Sequence, residues 1–174
     1  MKNPVLETIA SRRSIRSYKN QKLTKEQIDT LLTAAQQAPS ARNLQPWHFT
    51  VVQNRELLNE ISAEAAKVIG QDTGDIFHGA VFAIFLSGDS SNKWSRIDCG
   101  IAVQTLALAA ESMGLGSVIL GRPDPVFTGP RADYFKQKLA IPATHSFAIA
   151  IAIGVPAGTK EAHPVEQNRV SFVN

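Results

Sequence analysis

Along Phe147–Ile153 bulky and small side chains take turns: Phe147, Ile149, Ile151 and Ile153 alternate with Ala148, Ala150 and Ala152. That is the period of a β-strand, whose successive side chains point to opposite faces. Neither face carries a charge, so Phe147–Val155 reads as a long buried strand with one bulky face and one nearly flat one. A flat alanine face lets a helix or a neighbouring backbone approach unusually close. Ala80–Ser87 reads as a second buried strand and Ser117–Leu120 as a short one. Trp47, Phe49 and Val51, alternating with His48 and Thr50, read as a strand with one buried face.

Helical periods occupy the stretches between. Asn3 can cap a helix with Pro4 in its first turn and Val5, Leu6, Ile9 and Ala10 as its apolar stripe. Thr24 and Gln27 have the spacing of a capping box, and Ile28, Leu31, Leu32 and Ala35 continue the helical period until Pro39 stops it. Asn54 can cap a third helix bearing Leu57, Leu58, Ile61, Ala65 and Val68 and closed by Gly70. Ile97–Met113 is apolar on nearly all sides, which predicts a helix buried through the centre of the molecule, and Arg131–Leu139 predicts a surface helix. Strands and helices do not alternate regularly, which favours an α+β sandwich over a doubly wound sheet. The 174 residues suit one domain with a filled core. The tail after Pro156 has little periodicity yet ends in Val170, Phe172 and Val173, apolar groups that would find cover on another subunit.

The apolar runs fall far short of the roughly 20 residues of a spanning helix, and Pro4, Glu7, Arg12 and Arg13 interrupt any secretory signal. A cytoplasmic protein without membrane contact is expected. Cys99, the single cysteine, excludes an internal disulfide and reads as a small buried hydrophobe. His48, His78, His145 and His163 show no metal-ligand spacing, and no Gly-x-Ser-x-Gly nucleophile elbow occurs. A net charge of +3 is mild, and an anionic small ligand explains it as well as a nucleic acid does. Nucleic acid as a partner would require aromatic groups beside exposed cations, and the aromatic residues fall mostly in strand patterns.

Two segments carry chemistry. In Arg12-Arg13-Ser14-Ile15-Arg16-Ser17-Tyr18, three guanidiniums and two serine hydroxyls offer donors to a phosphate, and in an extended chain Arg12, Ser14 and Arg16 share one side. A solvated basic patch is the other reading of the same residues. In Pro39-Ser40-Ala41-Arg42-Asn43-Leu44-Gln45-Pro46-Trp47, two prolines stiffen a loop in which Ser40, Asn43 and Gln45 can hydrogen-bond a heteroaromatic edge. The alternative there is a plain helix-to-strand turn. The glycines of Gly114-Leu115-Gly116-Ser117-Val118-Ile119-Leu120-Gly121 follow a helix and precede a strand, the reverse of what a dinucleotide fingerprint requires.

Taken together, in this order, Arg-Arg-Ser-Ile-Arg after a helix, Pro-Ser-Ala-x-Asn-x-Gln-Pro-Trp, a buried helix ending Met-Gly-Leu-Gly, a closing strand and a late arginine resemble the nitroreductase family of FMN enzymes, particularly its short members. The resemblance implies an α+β fold, an α/β/α sandwich around a mostly antiparallel sheet, with two subunits intertwined as a homodimer and FMN at their interface. It implies that Arg12, Ser14 and Arg169 approach the phosphate and that Arg13 and Arg16 hold the ribityl chain and the pyrimidine edge. Pro39, Ser40, Ala41, Asn43 and Gln45 of the partner subunit would complete the site, with the backbone at Leu120 and Gly121 beside the flavin N5. NADH or NADPH would then reduce the flavin, and a nitroaromatic, quinone or similar small acceptor would reoxidise it, with no catalytic side chain required. A flavin-holding or regulatory dimer of the same fold is the alternative. The loop Ser87–Arg96 and the segment Ile69–Phe77 are short beside longer family members, which implies an open pocket that Trp94 could line.

Overall fold

The computed structural model describes residues 3–173, the side chain of Gln167 excepted. Helix α1 (Pro4–Ser11) starts where the Asn3 carboxamide accepts the Val5 N–H at 2.9 Å. Helix α2 (Lys25–Gln36) starts at the Thr24–Gln27 box, in which each side chain takes the other residue's N–H. Asn54 caps α3 (Arg55–Ile69), and Gly70, at φ 74°, ends it in a left-handed conformation that only glycine adopts without a Cβ penalty. Each cap of this kind stabilises its helix by about 1 kcal/mol.

Four strands, β1 (Trp47–Val52), β2 (Ala83–Asp89), β3 (Gly116–Leu120) and β4 (His145–Gly154), form one antiparallel sheet in the order β1-β2-β4-β3. The strand that begins with the alternating Phe and Ile residues is therefore central, as its lack of charge requires. One face of the sheet packs against α2 and α4 (Ser95–Ser112): Ile84, Leu86, Ile151 and Ile153 meet Leu31, Cys99 and Leu106. The other face packs against α3 and α5 (Ala132–Lys138): Phe85, Val118, Ala150 and Ala152 meet Leu58, Ile61 and Phe135. No helix among the described residues is long and apolar enough to cross a membrane.

Three expectations change. Strand β2 begins at Ala83 rather than Ala80, because Asp75 ties the preceding residues into a turn. Its carboxylate accepts the N–H groups of Phe77 (3.0 Å) and Gly79 (2.6 Å), and His78 and Gly79 take φ values of 57° and 81°. The bulky face of β4 is not continuous either. The pairing slips between Leu86 and Ser87, so Leu86 opposes Ile149 and Ser87 opposes Phe147. This bulge turns Phe147 to the alanine face, where it stacks on Phe127 with centroids 4.4 Å apart. Phenylalanine rings, not a helix backbone, fill the space above Ala150 and Ala152.

The third change concerns α4, which is not enclosed on all sides. Cys99, Ala102, Leu106, Ala107 and Ala110 are sealed against the sheet and α2, but Ile97 and Ile101 are 56% and 38% exposed. Val5, Leu6 and Ile9 of α1 are also exposed, as are Val165, Val170, Phe172 and Val173 of the tail.

Candidate functional site

The arginine segment leaves α1 at Arg12, whose N–H still donates to the Thr8 carbonyl at 3.0 Å. It then runs extended across one end of the sheet. Ser14 bridges to Ser117 of β3, with the Ile15 N–H donating to the Ser117 carbonyl at 2.9 Å. Tyr18 bridges to Pro156, and the N–H groups of Lys19 and Ala157 donate to Val155 and Ser17 at 2.9 Å each. The sequence permits this close docking through two glycines: a Cβ on Gly116 would lie 3.0 Å from Ile15, and one on Gly154 would lie 3.0 Å from the Tyr18 ring. The Tyr18 hydroxyl donates to the Ile15 carbonyl at 2.7 Å, and burial pushes its pKa above the ordinary phenol value against the opposing charge of Arg16.

The backbone of this segment is thus pinned while its charges are not. None of Arg12, Arg13 and Arg16 forms an ion pair among the described residues. Arg13 folds back so that one Nη donates to the carbonyls of Ala10 (2.6 Å) and Arg12 (2.8 Å), yet its buried Nε has no acceptor. Arg16 is exposed and makes only a long contact to the Ser14 carbonyl, 3.4 Å. Two clefts of about 420 and 310 Å³ flank the segment. Ser14 and Arg16 line one, Arg13 and Glu111 the other, and Gly158, Thr159 and Lys160 line both. Thr159 and Lys160 were not legible as site residues, because nothing in the irregular tail shows that it returns over the arginines.

Two further groups belong to this neighbourhood. The positive charges of Arg16 and Arg122 act on His78, whose pKa is held below the ordinary histidine value, first by burial and then by those charges. Leu120 is buried at the end of β3, whereas Gly121 is exposed with open space where a side chain would stand.

The second segment lies elsewhere. After α2, Ser40 enters a tight turn, Ala41–Asn43, in which Arg42 and Asn43 have φ values of 55° and 54°, with Gln45 at 48°. Left-handed backbone costs a non-glycine residue on the order of 1 kcal/mol, asparagine least. Side chains hold the loop in it. The Ser40 hydroxyl accepts the Gln45 N–H at 2.9 Å, and the Asp98 carboxylate of α4 accepts the Ala41 N–H at 3.0 Å. Pro39, Asn43 and Gln45 remain exposed. Arg42, Leu44 and Pro46 share an open cleft of about 450 Å³ with Lys93 and Trp94, and Trp94 is 45% exposed there.

The two segments therefore sit at opposite ends of α4. The loop meets its first turn at Asp98, and the arginine cleft meets its last turn at Glu111, with Gly114 just beyond the helix end. At 1.5 Å per residue the separation along the helix is about 20 Å, so one chain does not bring them together. Arg169 is also apart from the other arginines in its contacts: exposed, with its Nε donating to Glu166 at 2.9 Å.

Comparison with known proteins gives this arrangement relatives. A protein of Methanothermobacter thermautotrophicus, provisionally named NADH dehydrogenase/NAD(P)H nitroreductase, is 42% identical over 125 residues, which cover 69% of this chain and 62% of that protein. One of the same name from Archaeoglobus fulgidus is 34% identical over 170 residues, 92% of this chain and 90% of that one. The solved structure of a nitroreductase with bound FMN from Desulfitobacterium hafniense DCB-2 superposes over 100% of both chains with a TM-score of 0.93 at 32% identity. Residues 9–155 match the model of the nitroreductase family, and the chain belongs to that family.

Proposed function

We propose that this chain is an FMN-dependent NAD(P)H oxidoreductase that works as a homodimer and reduces a nitroaromatic, quinone or similar small electron acceptor. The observation that carries the reading is the separation of two half-sites along α4: unpaired guanidiniums at its last turn, and amide and hydroxyl groups in a stiffened loop at its first. A two-fold axis perpendicular to α4 and passing beside its middle sets two copies of the helix antiparallel, so the last turn of one chain faces the first turn of the other. The exposed Ile97 and Ile101 give α4 an apolar face to bury on such an axis, and the tail, with Phe172 and Val173, supplies more.

The residues fit FMN. The phosphate carries about two negative charges, and Arg12, Ser14 and Lys160 supply donors for it at a sheet edge whose backbone is already ordered. Arg13, with an unpartnered buried Nε, and Arg16 lie along the same segment for the ribityl chain and the pyrimidine edge. Pro39, Ser40, Ala41, Asn43 and Gln45 of the partner subunit close the other side, and the backbone at Leu120 and Gly121 borders the ring. Bound FMN supplies the hydride chemistry between nicotinamide and acceptor. The chain's own part is electrostatic: a guanidinium at the pyrimidine edge favours negative charge there, and His78, held neutral, does not compete with it. Arg169 is the assignment with the least support, since it already has Glu166 for a partner. Lys160 is better placed for its role.

Quenching of FMN fluorescence on titration, sedimentation, and stopped-flow mixing with NADH and with NADPH test the reading together. Stoichiometric binding to a dimer and bleaching of the flavin by at least one nicotinamide are expected. A monomer that leaves FMN fluorescence unchanged would sink it.

A further inference from the structure

Asp98 holds the Pro39–Gln45 loop but has no part in flavin binding in the assignments above. It lies in the first turn of α4, is 2% exposed, and reaches across 57 residues of sequence to accept the Ala41 N–H through Oδ1. Its other oxygen, Oδ2, is buried with no donor among the described residues. A buried carboxylate with one oxygen unserved is more costly than an alanine in the same place, so packing alone does not account for it. The helix N-terminus and the charge-assisted bond from the Ala41 N–H to Oδ1 each offset part of that cost, and Oδ2 stays unserved. What Asp98 holds is a stretch in which three residues, Arg42, Asn43 and Gln45, occupy left-handed backbone within four positions. Ser40 fastens the far end of that stretch at Gln45, and Asp98 fastens the near end at Ala41.

We infer that Asp98 is a positioning residue for flavin binding: through the Ala41 N–H it sets the Pro39–Gln45 loop in its bound shape before FMN arrives. The inference rests on the reading of that loop as part of the FMN site. Its energetic content is preorganisation, since a loop already ordered loses less entropy on binding.

The bond can be cut from either end. Asp98→Ala removes the acceptor. Ala41→Pro removes the donor at a first helical position, where proline is tolerated, after a Ser40 at φ −136° and ψ 155°, a conformation compatible with a following proline. Asp98→Asn keeps an acceptor oxygen without the charge. Amide hydrogen exchange of the 39–45 segment, followed with and without FMN, reads the clamp directly, and FMN titration reads its consequence. Expected are faster exchange in the FMN-free protein and about tenfold weaker FMN binding for both cutting variants, because a loop that is ordered only on binding adds its lost entropy to the cost of binding. The double variant should be no weaker than either single one, because both remove the same bond. Asp98→Asn should restore slow exchange and most of the affinity. Unchanged exchange in Asp98→Ala and Ala41→Pro, or an Asp98→Asn protein as loose as Asp98→Ala, would overturn the inference. Failure of the wild-type protein to bind FMN would instead sink the functional reading, while exchange in the FMN-free variants would still decide the clamp.

Discussion

The arginine segment and the Pro39–Gln45 loop solve opposite problems. The arginine segment has its backbone tied into a sheet edge, through Ser117, Val155 and the close fit over Gly116 and Gly154, and leaves its charges free. The loop has a strained backbone held by two side chains, Ser40 and Asp98, and exposes its amides. In the proposed site the arginines would grip a phosphate, and guanidinium–phosphate bonds are directional as well as strong, so they need a fixed platform. A ring edge is recognised by directional hydrogen bonds, which a loop of defined shape provides without contributing to the core.

The sharpest way to break that contrast is to remove charge from the platform. Arg12→Ala with Arg16→Ala should weaken FMN binding by about a hundredfold or more, at roughly 1.5–3 kcal/mol for each hydrogen bond to a charged group. Stability of the FMN-free protein should move by less than about 0.5 kcal/mol, because neither guanidinium has an ion-pair partner among the described residues. Fluorescence titration and urea unfolding give the two numbers. A large stability loss would mean that the arginines belong to the fold rather than to the ligand.

Disturbing the platform without touching a charge is the next largest change. Gly116→Ala places a methyl 3.0 Å from the side chain of Ile15, which lies between Arg13 and Arg16 in the chain. Overpacking of this kind costs roughly 1–3 kcal/mol. Thermal unfolding should register it, FMN affinity should fall about tenfold, and hydrogen exchange in the 39–45 loop should stay as it was. Ser40→Ala acts on the other half. It removes the acceptor of the Gln45 N–H, a bond worth about 1 kcal/mol in the FMN-free protein, so the melting temperature should fall by about 2–4 °C, and the loosened loop should bind FMN about fivefold more weakly.

The same contrast explains what could be read from the sequence. Helix starts were legible because a cap is local: Asn3, Thr24 with Gln27, and Asn54 each act within three residues. The alternation in β4 gave away a long buried strand, but the bulge that turns Phe147 over is a property of pairing with β2 and leaves no mark within β4 itself. The start of β2 was displaced because Asp75, an ordinary loop aspartate in sequence, gathers Arg55, Phe77 and Gly79 around it. Of the candidate site, the arginines and the proline-bracketed loop stood out by composition. Lys160, Arg122, His78 and Asp98 did not, since each owes its place to a contact with a segment distant in sequence. The apolar excess of α4 was visible, but Ile97 and Ile101 are exposed in the single chain, so a count of apolar residues could not separate core from candidate interface.

The smallest expected effect separates the halves by pH. Burial first, then the charge of Arg16 and to a smaller extent that of Arg122, hold the His78 pKa below its ordinary value of 6.5, against the opposing pull of Asp75. A histidine with a lowered folded pKa contributes stability that is present above the unfolded value and lost as pH falls through the folded one. His78→Asn keeps a residue that tolerates φ near 57° and removes the titration, so its unfolding free energy should fall less steeply on the acid side of neutrality. An anion bound at Arg16 reverses the local field, so FMN should raise the His78 pKa and, by linkage, bind slightly more tightly as pH falls through that range. Ser40→Ala should leave that dependence intact, while Arg16→Ala should change it, because only the arginine half faces the imidazole. Following the His78 ring by NMR with and without FMN measures both shifts, and a titration unmoved by FMN would place the bound anion away from Arg16.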